Sequence, residues 1–240
     1  MTLLSICQDV ATDVGVAKPT LIVGNADETA SRLLSAAQAA LKSLGKAHNW
    51  LVLNTEYTFS TVASQADYSL PSDFSRLENY TLWDRTNFER LRGPLTPQDW
   101  QKYKSSILSD TVTTWKKFRI HNVSGTTKFS IHPTPDAVES LVFEYVSKNF
   151  CESSGGTGQT KWQADADVGV VDEDLIFLGT RWRFMNRLGI PYDEEKDEYE
   201  RELDKAWARD GGAPTLNIGG VQPYHLIDAG NIPETGYGGV

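Results

Sequence analysis

Hydrophobic positions recur with a helical period near both ends of the chain. Apolar residues three to four positions apart over about 3–14 and 27–44 predict two amphipathic helices, and the pattern returns over about 172–188 and 193–209. Gly15, Gly45 and Gly189 follow the last apolar positions of three helices, where glycine commonly ends a helix. We expect the buried stripe of the third helix to be Leu175, Leu178, Trp182, Met185 and Leu188, and that of the fourth to be Tyr199, Leu203, Ala206 and Trp207.

The middle of the chain follows a period of two, which is typical of strands. Candidate strands lie at 56–60, 67–70, 74–83, 85–92, 113–122, 128–132 and 141–148. Thr96 and Pro97 predict the start of a short helix that ends near Lys104. The glycine-rich run 153–158 predicts a hairpin or lid loop.

These patterns predict an α+β fold, in which a helical bundle of two N-terminal and two C-terminal helices carries an inserted β-sandwich or small barrel domain. We expect a helical domain from residues 1–50 and 163–210, a β-rich domain from 51–162 and an extended C-terminal arm from 211–240. The arm has eight glycines, three prolines and no Lys or Arg, so an independent core is not expected there.

The arm nevertheless carries more apolar and aromatic residues than a solvated tail needs. We expect it to become ordered on a partner surface through the residues Leu216, Ile218, Tyr224, Leu226, Ile227 and Tyr237. The alternative is a disordered C-terminus that contacts nothing.

Charge is unevenly distributed along the sequence. The chain has 240 residues and a net charge of −9, which counts against a duplex-DNA reader. It has no apolar run long enough to span a membrane, so we expect a soluble product made in the cytoplasm. Residues 76–128 hold ten basic and five acidic residues, whereas 190–210 hold four basic and nine acidic ones. Complementary flanks suit subunits that pack side by side in a ring, and chance clustering on separate solvated faces is the alternative.

Catalytic, cofactor and metal sites are not expected. The four histidines, His48, His121, His132 and His225, lack the spacing of metal ligands, and two cysteines cannot form a zinc site alone. The run 154–160 lacks the Gly-Lys-Ser/Thr sequence of a phosphate-binding loop. The acidic run 193–204 alternates with basic residues, as a solvated helix face does. We therefore expect a protein that is not an enzyme.

Three motifs resemble a known family. The sequence YSLPSDFSRLE at 68–78 is followed by WDRT at 83–86 and by GPLTPQDW at 93–100. Together they resemble the head-to-tail adaptor (connector) proteins of tailed bacteriophages. The resemblance covers about residues 1–210 in layout and about 68–104 in motif.

The resemblance implies a structural virion protein of the neck or tail, assembled in the host cytoplasm, with no membrane partner. It implies a homo-oligomeric ring of about twelve copies that joins the portal protein to a tail nozzle or tail-terminator protein. Genomic DNA would pass through the lumen without specific binding. The arm would contact the portal, and Glu194, Glu198 and Glu202 would line the channel and repel phosphates.

Two other functions remain open. A tail-tube or nozzle subunit would belong to the same virion but would be richer in β structure. A carbohydrate-binding or hydrolytic tail module would use Trp83, Trp100, Trp115 and Trp162 to line a sugar site. Exposed tryptophans would favour that module, and buried ones would count against it.

Overall fold

The structure is a computed structural model that describes residues 1–105 and 116–211. Its helices are α1 (Leu3–Val14), α2 (Glu28–Ala47), α3 (Pro97–Lys104), α4 (Glu173–Leu188) and α5 (Asp193–Asp210). Its strands are β1 (Asn54–Ser60), β2 (Asp67–Ser69), β3 (Phe74–Leu77), β4 (Trp83–Asp84), β5 (Glu89–Arg90), β6 (Lys117–Val123), β7 (Thr126–His132), β8 (Ser140–Ser147), β9 (Cys151–Glu152), β10 (Gly158–Gln159) and β11 (Val168–Gly169). The α+β fold class is confirmed.

Side-chain caps mark the starts of α1, α2 and α3. The hydroxyl of Thr2 accepts a hydrogen bond from the Ser5 amide at 3.3 Å, and Asp27 accepts one from the Ala30 amide at 3.1 Å. Thr96 caps α3 in the same way, as predicted. Gly15 ends α1 in the left-handed conformation, but the prediction that Gly45 ends α2 is wrong, because the helix continues to Ala47.

Helix α4 lies at the centre of the helical layer and contacts α1, α2 and α5. Because α4 meets neighbours on several sides, its buried surface is wider than one stripe and includes Ile176 and Phe184, which the pattern did not select. The prediction that Trp182 belongs to this core is wrong, since the side chain is only half-buried. The prediction that Trp207 of α5 faces the core is also wrong, because 37% of its surface is exposed. Its ring stacks on His48, with ring centroids 5.9 Å apart.

Three antiparallel sheets form the β structure. The first has the order β1-β8-β4-β5 with β3 also paired to β8, the second is β2-β7-β6, and the third is β10-β9-β11. The candidate strand 74–83 is interrupted between β3 and β4, and the candidate 85–92 is reduced to β5. A turn over residues 85–88, in which two amides bind the Asp84 carboxylate, separates β4 from β5. The glycine-rich run forms the turn between β9 and β10, as the hairpin prediction required.

The described residues contain two apolar clusters. One lies between the first two sheets, where the rings of Phe129 and Phe143 stack with centroids 5.9 Å apart. The other lies among the helices and also takes in Phe150, Trp162 and Val171 from the segments that flank the strands of the third sheet. The division into domains at particular residues stays a prediction.

No helix in the described ranges has the length and apolar character needed to cross a membrane. The predicted arm residues Leu216, Ile218, Tyr224, Leu226, Ile227 and Tyr237 lie outside the described residues, as do Trp115 and His225.

Candidate interaction surfaces

Helix α5 is held firmly against α4. The two helices are joined by a short turn in which Gly189 adopts the left-handed conformation, with φ of 74°. Tyr199 of α5 packs so closely on Gly179 of α4 that a Cβ at position 179 would lie 3.2 Å from the tyrosine ring. Because the Tyr199 ring lies against the backbone of α4 at Gly179, α5 is held in a fixed orientation. Its remaining faces are exposed to solvent.

The predicted channel residues lie on one side of α5, at i, i+4 and i+8. Glu194 is exposed and has no ion pair within the described residues. Glu198 accepts a hydrogen bond from Nη2 of Arg181 at 2.5 Å, and Glu202 accepts one from Nζ of Lys205 at 2.6 Å. The hydrogen bond from Lys205 lowers the pKa of Glu202. Of the three, only Glu194 therefore forms no ion pair with a basic side chain in the part of the chain that the structure describes.

Arg181 ties three helices together. Its Nη1 donates to Asp13 of α1 at 2.9 Å while its Nη2 donates to Glu198 of α5. The guanidinium is mostly buried, so both ion pairs are less screened than surface pairs. Beside it, Glu198 and Glu202 border a cleft of about 380 Å³ together with Asp172 and Arg209. The sequence pattern did not reveal this link, because its members come from three separate helices.

A second acidic face of α5 was not among the predicted surfaces. Asp193, Asp197, Glu200 and Asp204 are all exposed. Their spacing of i, i+4, i+7 and i+11 places them in one row along the helix. We call this row the acidic stripe. The regular spacing of these four carboxylates is the signal of the stripe in the sequence.

The charged residues buried in the β structure have a structural role. The carboxylate of Asp84 accepts hydrogen bonds from the amides of Thr86 at 2.8 Å and Asn87 at 3.1 Å, which holds the turn after β4. Nζ of Lys116 lies 3.2 Å from Asp84 and is also paired with Glu139.

Hydrogen bonds and ion pairs decide the direction in which the pKa values of Asp84 and Lys116 are shifted. Burial raises the pKa of Asp84, but the hydrogen bonds from Asn87, Thr86 and Lys116 outweigh it, so the pKa lies below its usual value. Burial likewise lowers the pKa of Lys116, but pairing with Glu139 and Asp84 raises it above the usual value overall.

Three of the four tryptophans proposed for a sugar site lie in the described residues, and two of these three are buried. Trp162 is buried among the helices, where its indole N–H donates to the Ala37 carbonyl at 3.4 Å. Trp100 is also buried and packs between His121 and His132. Trp83 is half-buried on β4. Within the described residues, this arrangement counts against a stacked-sugar platform.

Metal and thiol chemistry find no assembled site in residues 1–105 and 116–211. No group of three or more His, Cys, Asp or Glu side chains converges there as metal ligands would. Both cysteines are buried, and burial raises the pKa of Cys7 and of Cys151 to about 12. Their thiols therefore stay protonated at neutral pH.

Comparison with known proteins identifies the family. No curated protein matches the chain significantly. The sequence profile described as SU10 adaptor protein matches residues 1–217, which is most of the chain. The match includes all five helices and all eleven strands of the described structure. The chain therefore belongs to the SU10 adaptor protein family and is a structural adaptor protein of a bacteriophage.

Proposed function

We propose that this chain is a subunit of a head-to-tail adaptor ring that joins the portal protein to a tail nozzle or tail-terminator protein. The family match over residues 1–217 carries the proposal. The YSLPSDF motif supports it, because two of its polar side chains have packing roles in the structure. Tyr68 is buried and its hydroxyl donates to the Gln65 carbonyl at 2.7 Å, while Asp73 accepts from Tyr145 and Ser147.

The described residues form a rigid subunit, as a connection between two rings requires. Two apolar clusters are connected through β8, because Val146 lies in the helical cluster and Phe143 and Tyr145 lie in the other. Within the helical layer, Arg181 links α1, α4 and α5. A rigid subunit with several ties of this kind can hold two neighbouring rings in a fixed relation.

The ring encloses the DNA channel and contains about twelve copies. Glu194, Glu198 and Glu202 of α5 face the lumen, where carboxylates repel the phosphates of the passing genome. Glu194 contributes most to this repulsion, since Glu198 and Glu202 are paired with Arg181 and Lys205. The net charge of −9 supports a lumen that does not retain DNA.

The C-terminal segment anchors the ring on the portal. Its apolar residues, among them Leu216, Tyr224 and Tyr237, bind a portal surface, and the many copies in the ring sum contacts that are individually weak. Ordering of the segment on binding lowers the affinity of each copy, which the ring compensates by multivalency.

The proposal is tested with particles assembled in the absence of this chain. We expect DNA-filled heads without tails, and we expect the purified full chain to restore tail attachment. A variant lacking residues 213–240 should keep the circular dichroism spectrum of the folded chain but should neither bind such heads nor restore tails. Tails that attach without the chain, or labelled chain found along the length of the tail, would overturn the proposal and favour a tail-tube subunit.

A further inference from the structure

A cleft lined by lysines lies where α2 meets the β structure. One wall consists of Gln38, Lys42 and Lys46 of α2, and the others are formed by residues 74–75, 148–150 and 160–161. Its volume is about 680 Å³. The ring of Phe150 forms part of the floor and is buried against α2. We call this feature the lysine cleft.

The four lysines of the cleft have no counter-charge of their own. Lys42, Lys46, Lys148 and Lys161 are all exposed, and none of them forms an ion pair within the described residues. Lys42 and Lys46 stand one helical turn apart, and like charges at this spacing repel each other. A partner that brings carboxylates into the cleft therefore relieves repulsion as well as adding attraction.

The acidic stripe has the opposite charge and the same number of ionic groups. Of its four residues, only Glu200 forms an ion pair within the described residues, with Nζ of Lys196 3.5 Å from its Oε1. Asp193, Asp197 and Asp204 have no ion pair within residues 1–105 and 116–211. At 3.6 residues per turn, the stripe lies roughly 130° around α5 from the row of Glu194, Glu198 and Glu202. The stripe can therefore meet a neighbour while the other row faces a channel.

We propose that the acidic stripe of one copy docks on the lysine cleft of the next copy. This inference rests on the proposed ring and names the contact that closes it. A contact between two different surfaces of the same chain is heterologous, and repetition of such a contact generates a ring when the rotation closes. Charge complementarity selects a second copy as the occupant: four carboxylates face four ammonium groups, and both sets are presented by every subunit.

Cross-linking tests the contact directly. A Lys46→Cys chain is mixed with a differently tagged Asp204→Cys chain and treated with a short bis-maleimide, to which the buried Cys7 and Cys151 are not accessible. We expect a cross-linked dimer that contains both tags. The matched control replaces Lys46→Cys by Lys102→Cys, an exposed lysine on α3, and should give at least about tenfold less dimer.

Charge reversal tests the energetics. The cleft variant Lys42→Glu with Lys46→Glu and the stripe variant Asp197→Lys with Asp204→Lys should each weaken self-association at least about tenfold, as measured by sedimentation. A mixture of the two variants should associate again. Copies of the cleft variant repel one another, because cleft and stripe are both acidic, but the basic stripe of the stripe variant fits the acidic cleft of the cleft variant. The control Lys18→Glu with Lys102→Glu makes the same change in net charge as the cleft variant and should associate like the wild type.

Several results would overturn the inference without touching the proposed function. If the labelled chain occupies the neck of the particle but the Lys46→Cys and Asp204→Cys chains are not cross-linked to each other there, the ring uses another contact. If only the cleft variant is impaired and the stripe variant associates normally, the cleft holds a different occupant, such as the C-terminal segment or a nucleic acid. Absence of the chain from the neck would instead overturn the proposed function itself.

Discussion

The ring of Phe150 lies directly against the backbone of Gly45 in α2. A Cβ at position 45 would come within 2.3 Å of Cδ1 of Phe150, closer than any real pair of non-bonded carbon atoms. The glycine therefore serves as a packing site rather than as a helix end. It lets the segment after β8 approach the helix, and the floor of the lysine cleft forms there.

We predict that Gly45→Ala destabilises the fold. Alanine in a helix interior is favoured over glycine by about 1 kcal/mol, but the clash with a buried ring costs about 1–3 kcal/mol. The net change in the free energy of unfolding should be a loss of up to about 2 kcal/mol, measured by urea denaturation. The second-site change Phe150→Leu in the Gly45→Ala background should recover part of the loss. A Gly45→Ala chain that is more stable than the wild type would show that the ring can move aside.

Gly45 also illustrates how far the sequence predicts this fold. Local signals sufficed for the starts of α2 and α3, because Asp27 and Thr96 bind amides only three residues away. The role of Gly45 depends on Phe150, which is more than a hundred positions away in the chain. No periodicity in α2 encodes that contact.

The candidate surfaces show the same division. The acidity of α5 was evident from composition, but which carboxylates stay free depends on where Arg181 and Lys205 lie. The lysine cleft could not be predicted, because its lysines come from a helix, the segment after β8 and the segment after β10. Proximity of this kind is a property of the tertiary fold.

Two aromatic residues of α4 should differ in their contribution to stability. Phe184 is fully buried, so Phe184→Ala should cost about 3–5 kcal/mol. Trp182 is half-buried and stacks on Tyr192, with ring centroids 5.9 Å apart. The guanidinium of Arg183 lies over the Trp182 ring, 4.2 Å from its centroid. Since solvent already reaches this side chain, Trp182→Ala should cost only about 1–2 kcal/mol. Equal losses in parallel urea titrations would contradict the burial difference.

Acrylamide quenching should separate the tryptophans by exposure. Trp207 is 37% exposed, whereas Trp100 and Trp162 are buried, with only 4% and 3% of their surface exposed. Trp207→Phe should therefore remove a large part of the quenchable fluorescence, while Trp162→Phe should leave the quenchable part nearly unchanged. Strong quenching that disappears in Trp100→Phe or Trp162→Phe would mean that those rings are accessible, and it would revive the carbohydrate-binding alternative.

The buried Asp84–Lys116–Glu139 group should dominate the response of the β structure to charge changes. Lys116→Met leaves two buried carboxylates without their shared cation, so we expect a loss of about 3–5 kcal/mol at pH 7. The control Lys117→Met removes a lysine whose Nζ lies 3.5 Å from the centre of the Tyr103 ring and should cost about 1 kcal/mol or less. The free energies of unfolding follow from urea titrations of the three chains.

The pH dependence of the same group has a definite sign. Because the pKa of Asp84 is lower in the folded chain than in the unfolded one, its ionised form stabilises the fold above the unfolded pKa of about 3.9. This contribution is lost as the pH falls through the folded pKa. Wild-type stability should therefore decrease on acidification below about pH 4, and Asp84→Asn, already less stable at pH 7, should show a shallower decrease. The loss caused by Lys116→Met should also shrink on acidification, because Asp84 without its cation can then take up a proton. A Lys116→Met penalty that stays constant from pH 7 to pH 4 would show that solvent, rather than Lys116, stabilises the charge of Asp84.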